Sequence, residues 1–250
     1  MLTDIVLFAV GLFVGAVNSV AGGGMLVGFP TLIALGLPAI IANATGKVVV
    51  LPGQLSSAFG YRRLLRTLPK RYLLLIIPCL IGGAAGAVLL KHTPSDQFEQ
   101  LAPILILAAV ILFSLQPLLQ RRLEKNKHHK VLLPLGYIML LVLVTAVYGG
   151  YFGAGFGFIV LSFLGFSGLR SIHHMNLLKN LIGALSAVIA VIVLLPTLLI
   201  NWHFGVVMGI GNGVGGYVGA RLAPKVPAGI IRLFVICFGI ATAIYLFART

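Results

Sequence analysis

Acid is what this chain has least of. Only Asp4, Asp96, Glu99 and Glu124 are carboxylic among 250 residues, and all four fall at the ends of apolar segments or in a polar linker. No carboxylate is therefore placed to relay protons or ligate sodium at membrane depth. Cysteine is nearly as scarce. Cys79 and Cys237 lie in apolar runs without CxxC or metal-ligand spacing, which reads as two small hydrophobes. Charge of either sign is only 9% of the chain against 60% hydrophobic residues, with a mean hydropathy of +1.11. That composition excludes a soluble domain and gives an all-α polytopic membrane protein. Catalytic signatures are missing too: there is no GxSxG, HExxH or P-loop. GAGFG at 153–157 lacks the strand before it and the acid after it that a dinucleotide loop needs. The expectation is a non-enzyme without cofactor or metal.

The formal charge of +14 does not indicate nucleic acid, because the basic residues sit in loops between apolar runs and no aromatic platform is interleaved with them. The N-terminus carries Asp4 and no basic n-region, so it reads as a retained first segment and not a cleaved signal.

Glycine is abundant, and it is clustered. AGGGMLVGFPTLIALG (21–36) and YFGAGFGFIVLSFLG (151–165) each put a glycine group inside apolar sequence, followed by an apolar piece of about eleven residues. Glycine costs a helix interior roughly 0.5–1 kcal/mol relative to alanine, so these clusters predict breaks. Broken helices at membrane depth are tolerated only where buried in protein or lining a cavity, and they mark solute sites. Gly22, Gly23, Gly24, Gly153, Gly155 and Gly157 are the expected break and hinge residues.

Apolar runs fall at 5–20, 25–36, 39–60, 72–91 and 97–118, then at 132–148, 155–166, 172–199, 203–222 and 228–248. The halves repeat: GGAAGAVLLKHTP (82–94) matches GGYVGARLAPKVP (215–227) at both paired glycines, the third glycine, the alanine, a leucine and the last proline, at an offset of 133. Lys47 and Lys179 are 132 apart and the glycine clusters about 131 apart. This predicts a first repeat at 1–118, a basic linker at 119–131 and a second repeat at 132–250. The paired glycines themselves read as close helix packing.

Charge then sets the orientation. If each glycine-broken pair returns to the side it entered from, fourteen basic residues share one face against two, Lys91 and Arg249, on the other. If each pair is one net crossing, the split is eleven to five. The first arrangement obeys the positive-inside rule better, makes the basic loops cytoplasmic and inverts the halves relative to each other, each with a broken pair plus three transmembrane helices. A re-entrant hairpin and two short full crossings give the same parity, so both stand.

Of eighteen basic residues only Lys47 and Lys179 lie inside apolar segments. A lysine near a helix centre costs roughly 2.5–3.5 kcal/mol on insertion scales and so faces a polar interior. Asn43, Thr45 and Gln54 flank the first, Asn176 and Asn180 the second. The half-helix starts, at Gly23, Gly24 and Met25 and again at Gly155 and Phe156, offer backbone N–H groups and the positive end of a helix dipole. Together these predict a small anion bound at mid-membrane. With no acid available, any coupling would fall to His173, His174, His203, protons on the solute, or backbone carbonyls.

At these residues the chain resembles the sulfite exporter TauE/SafE family, also called the toluene sulfonate uptake permease family. The resemblance is carried by VNSVAGGGMLVGFPTLIALGLP (17–38), YGGYFGAGFGF (148–158), HHMNLLKNLIGAL (173–185) and the GGxxGAxL elements, in order along nearly the whole chain. It implies a secondary transporter, in a bacterial or archaeal plasma membrane, of sulfite, a sulfonate or a related organosulfur anion. Its partners would then be that anion and the bilayer, and a homo-oligomer is compatible with it. Members differ in substrate and direction. A passive anion channel and a non-transporting assembly partner are the competing readings: the first predicts flux without saturation, the second no flux.

Overall fold

The computed structural model describes residues 1–20, 22–125, 133–169, 171–222 and 228–248. The described residues form ten α-helices and no strand. They are α1 (Leu2–Val20), α2 (Met25–Ala34), α3 (Ala39–Gly60), α4 (Ile76–His92) and α5 (Ser95–Lys125), then α6 (Leu135–Tyr151), α7 (Phe156–Leu164), α8 (Ile172–Leu194), α9 (Trp202–Leu222) and α10 (Ala228–Phe247). Both predicted breaks occur, between α1 and α2 and between α6 and α7. Two departures stand out. Helix α4 is preceded by two 3-10 segments, Arg62–Thr67 and Lys70–Leu75. Helix α5 continues to Lys125, so the first part of the expected linker is helical. The rest of that linker, with Lys127 and Lys130, lies outside the described residues, as do Ala21, Arg170, Lys225 and Arg249.

Among the described residues, four segments are long and apolar enough to cross a membrane: Leu2–Ser19, Lys70–His92, Ser95–Leu115 and His173–Leu194. Helices α2, α6 and the end of α10 are apolar but shorter. Large apolar side chains such as Ile81, Ile104, Ile111, Val144, Ile192 and Ile244 are more than half exposed, which in water would be a liability and in hydrocarbon is the required outer surface. The protein is a multi-pass membrane protein.

The two halves interlock. Helix α1 packs on α9 and α6 on α4; α3 packs on α9 and α8 on α4; α3 meets α8, and α5 meets α10. Exchanging the halves maps this list onto itself. The paired glycines make the approach possible. A Cβ on Gly215 would lie 1.9 Å from the Leu12 carbonyl oxygen, and one on Gly82 would lie 2.4 Å from that of Leu143. Gly86 and Gly219 meet Val147 and Ala16 in the same way. Van der Waals contact between backbones is the attraction available to helices in lipid, and only small residues permit it.

Candidate functional site

Both helix breaks rest on one turn geometry. Gly22 and Gly153, 131 positions apart, take φ of +82° and +84°. This left-handed region costs other residues about 1–2 kcal/mol. The Gly22 N–H reaches back to the Val17 carbonyl at 3.2 Å, and the Gly153 N–H to the equivalent Tyr148 carbonyl at 3.1 Å. Each turn stops its helix with the C-terminal carbonyls unspent, and those carbonyls carry about half a negative charge.

The buried lysines answer that charge, each from the opposite half. Lys47 Nζ, on α3, donates to the carbonyl oxygens of Gly149 (2.7 Å) and Phe152 (2.8 Å) at the end of α6. Lys179 Nζ, on α8, donates to the Asn18 carbonyl oxygen at 3.0 Å near the end of α1. Gly149 and Asn18 are again 131 positions apart, so the two ammonium groups make equivalent, reciprocal bonds. Asn43 reinforces the first, donating from Nδ2 to the Tyr151 carbonyl at 2.7 Å. Neither lysine snorkels: they are 4% and 3% exposed.

Between them lies a cavity of about 60 Å³. A water needs roughly 10–15 Å³ on this measure, so the space suits a few waters or a solute of a few heavy atoms. Lys47, Lys179, Asn43 and Asn180 line it, with Met25 and Phe156 at the starts of the two half-helices. Gly22, Gly153 and Gly157 close it at the breaks. The breaks touch there, since a Cβ on Gly22 would meet Gly157 and Phe158 backbone atoms at 2.8 Å. Asn180 Nδ2 and Gln54 Oε1 are buried with no hydrogen-bond partner among the described residues. Buried polar atoms of this kind call for a water or a ligand group.

Other predicted residues sit elsewhere. Thr45 is fully buried, but its hydroxyl accepts the Asn201 N–H at 2.9 Å and ties down the start of α9. Asn176 is half-buried and lies outside the lining; Gly23, Gly24 and Gly155 are buried and also lie outside it. The amides expected to lie open at the half-helix starts are in good part engaged within the breaks. The Gly24 N–H bonds Asn18 Oδ1 at 2.8 Å, and the N–H groups of Leu26 and Val27 bond the carbonyls of Gly23 and Gly24. The Phe156 N–H bonds the Gly153 carbonyl. Positive field at the cavity therefore comes chiefly from the lysines. None of the three histidines reaches it: His174 bonds Thr67, His203 pairs with Asp4, and His173 packs on Tyr61.

Two polar lining residues, Asn18 and Ser186, were not anticipated. Ser186 follows Lys179 by seven positions, as Gln54 follows Lys47. Seven residues is close to two helical turns, so each member shares a face with its lysine. That shared spacing was the available signal.

The sequence model of the sulfite exporter TauE/SafE family matches residues 7–246. A "Probable membrane transporter protein ORF9" of Sinorhizobium sp is 30% identical over 246 residues, covering 97% of this chain and 91% of its own length. A "Probable membrane transporter protein" of Haemophilus influenzae is 29% identical over 92% of this chain and 89% of its own length. The "Probable membrane transporter protein YfcA" of Escherichia coli K12 is 28% identical, with coverages of 92% and 84%. No solved structure matches.

Proposed function

The chain belongs to the sulfite exporter TauE/SafE family and is a membrane transporter of that type; from this premise we propose that it carries a small sulfur-containing oxyanion, sulfite or a short organosulfonate, outward across a bacterial or archaeal plasma membrane. One observation carries the reading. Two buried lysines at equivalent repeat positions line one pocket at the meeting of two helix breaks. No carboxylate is among its lining residues, so an entering anion is the natural counter-charge. The volume favours sulfite over an aryl sulfonate, which needs a wider cavity.

The lysine bonds suggest how binding could drive movement. Each ammonium bonds backbone carbonyl oxygen of the other half, Lys47 to Gly149 and Phe152 and Lys179 to Asn18. An anion in the cavity draws the same N–H groups, weakens those cross-half bonds and loosens one repeat against the other. Inverted repeats rocking about such a site give alternating access. With the basic loops cytoplasmic, exporting one negative charge gains about 2.3 kcal/mol per 100 mV, so no coupling ion is needed.

The test is sulfite and sulfoacetate efflux from proteoliposomes, with and without an imposed potential. Saturable flux that follows the potential is expected. Flux that never saturates would make the protein a channel, and full transport by Lys47→Ala/Lys179→Ala would remove the lysines from the mechanism.

A further inference from the structure

A second concentration of positive charge lies outside the cavity, where α3 gives way to α4. Residues 61–71 hold Arg62, Arg63, Arg66, Lys70 and Arg71, and no acid occurs anywhere between positions 5 and 95. All five side chains are exposed. Arg62, Arg63 and Arg66 border one open depression. Among the described residues the ion pairs fall on Asp4, and none reaches these arginines. Three guanidinium groups gathered without a counter-charge repel one another unless an anion sits among them.

The neighbours indicate which anion. Phe59, Leu65, Leu73 and Leu74 are 57%, 43%, 45% and 47% exposed, interleaved with the basic residues. The Arg62 guanidinium lies 4.1 Å over the Phe59 ring and donates to the Phe59 carbonyl. Meanwhile Leu68, Tyr72 and Leu75 are buried, and Tyr72 donates its hydroxyl to the Ser167 carbonyl at 2.5 Å. The segment is therefore pinned to the bundle by one set of side chains and turns basic and apolar groups outward together. An apolar crossing segment begins at Lys70, so the arginines stand at the edge of the hydrocarbon. A soluble anion would be served by the arginines alone. Exposed leucines and a phenylalanine at the same level fit a ligand with both a phosphate and acyl chains.

We propose that the Arg62, Arg63 and Arg66 face binds the phosphate of an anionic phospholipid, with Phe59 and Leu65 against its acyl chains. Guanidinium groups hold phosphate through paired N–H donors, which a lysine cannot reproduce. Juxtamembrane basic residues gain most from anionic lipid and lose it as salt rises.

Native mass spectrometry of the purified full chain, titrated with phosphatidylglycerol or phosphatidylcholine, tests this. The wild type should retain phosphatidylglycerol selectively. Arg62→Gln/Arg63→Gln/Arg66→Gln should bind it on the order of a hundredfold more weakly, while Arg221→Gln, at a different exposed arginine, should bind as wild type does. Arg63→Gln/Arg66→Gln leaves Arg62 on Phe59 and should still lose at least tenfold, which separates lost binding from lost folding. Undiminished binding by both variants would overturn the proposal, as would equal retention of phosphatidylcholine. Full displacement by millimolar glycerol phosphate would overturn it in favour of a free-anion site.

Discussion

The α1–α2 and α6–α7 breaks do one job by different means. Both turn on a left-handed glycine and a back-bond to the same repeat position, and both offer a carbonyl to the lysine of the other half. The first break is then closed by a side chain, with Asn18 Oδ1 accepting the Gly24 N–H. At the equivalent of Asn18 the second has Gly149, which has no side chain to give. It uses a second left-handed glycine, Gly155 at φ +77°, and the Tyr148 hydroxyl, which donates to the Ala154 carbonyl at 2.5 Å. What the halves share is the backbone path and the lysine bond; what differs is the local support. The shared part is what the symmetric carrier proposed above would need from both ends of its site. The differing part need only hold each end in place, so it was free to diverge.

The largest effects should fall on the shared part, and should be alike for the two halves. Lys47→Met or Lys179→Met removes a buried charge and strands carbonyls at a helix end, which typically costs 2–5 kcal/mol. Sulfite affinity, measured by calorimetry in detergent, should fall on the order of 10²-fold in either variant. If one lysine proves dispensable, the two ends are not equivalent and the reciprocal picture fails. Next come the turn glycines. Gly22→Ala forces a left-handed alanine into the backbone of Gly157 and Phe158, whereas a Cβ on Gly153 meets the Gly149 carbonyl oxygen and the movable Lys47 Nζ. Thermal unfolding should show Gly22→Ala costing about 3 kcal/mol and Gly153→Ala about 1–2 kcal/mol. Equal losses would mean that the contact between the breaks contributes nothing.

The sequence carried the fold well because the signals that define a membrane helix are local: apolar length, glycine clusters and basic loops. The expected run at 39–60 coincides with α3 to the residue. The lysines were legible for the same reason, since a charge inside an apolar run has few explanations. The partner of each charge was not legible. That Lys47 reaches Gly149 and Phe152, and Lys179 reaches Asn18, depends on α3 and α8 each packing across to the other half, and no local pattern states that. Thr45 misled for a related reason. It sits two residues before Lys47 on the chain, which on a helix turns it about 200° away from the lysine's face, and there it holds Asn201.

Smaller effects should fall on the differing part, and should separate the halves. Asn18→Asp keeps the oxygen that caps Gly24 but places a carboxylate on the residue whose carbonyl holds Lys179. Stability should change by less than about 1 kcal/mol, while sulfite flux should drop roughly tenfold as the new charge opposes the anion and competes for the ammonium. Asn18→Ala should do the reverse, costing about 1 kcal/mol of stability with a weaker effect on flux. Tyr148→Phe is the matching change in the other break. It removes one hydroxyl bond to Ala154, about 1 kcal/mol by thermal unfolding, and adds no charge, so flux should stay within about twofold of wild type. A Tyr148→Phe protein as defective in flux as Asn18→Asp would show that the hydroxyl touches the solute path directly. The supports would then be unequal in chemistry as well as in construction, with the second break carrying a polar contact that the first delegates to Lys179.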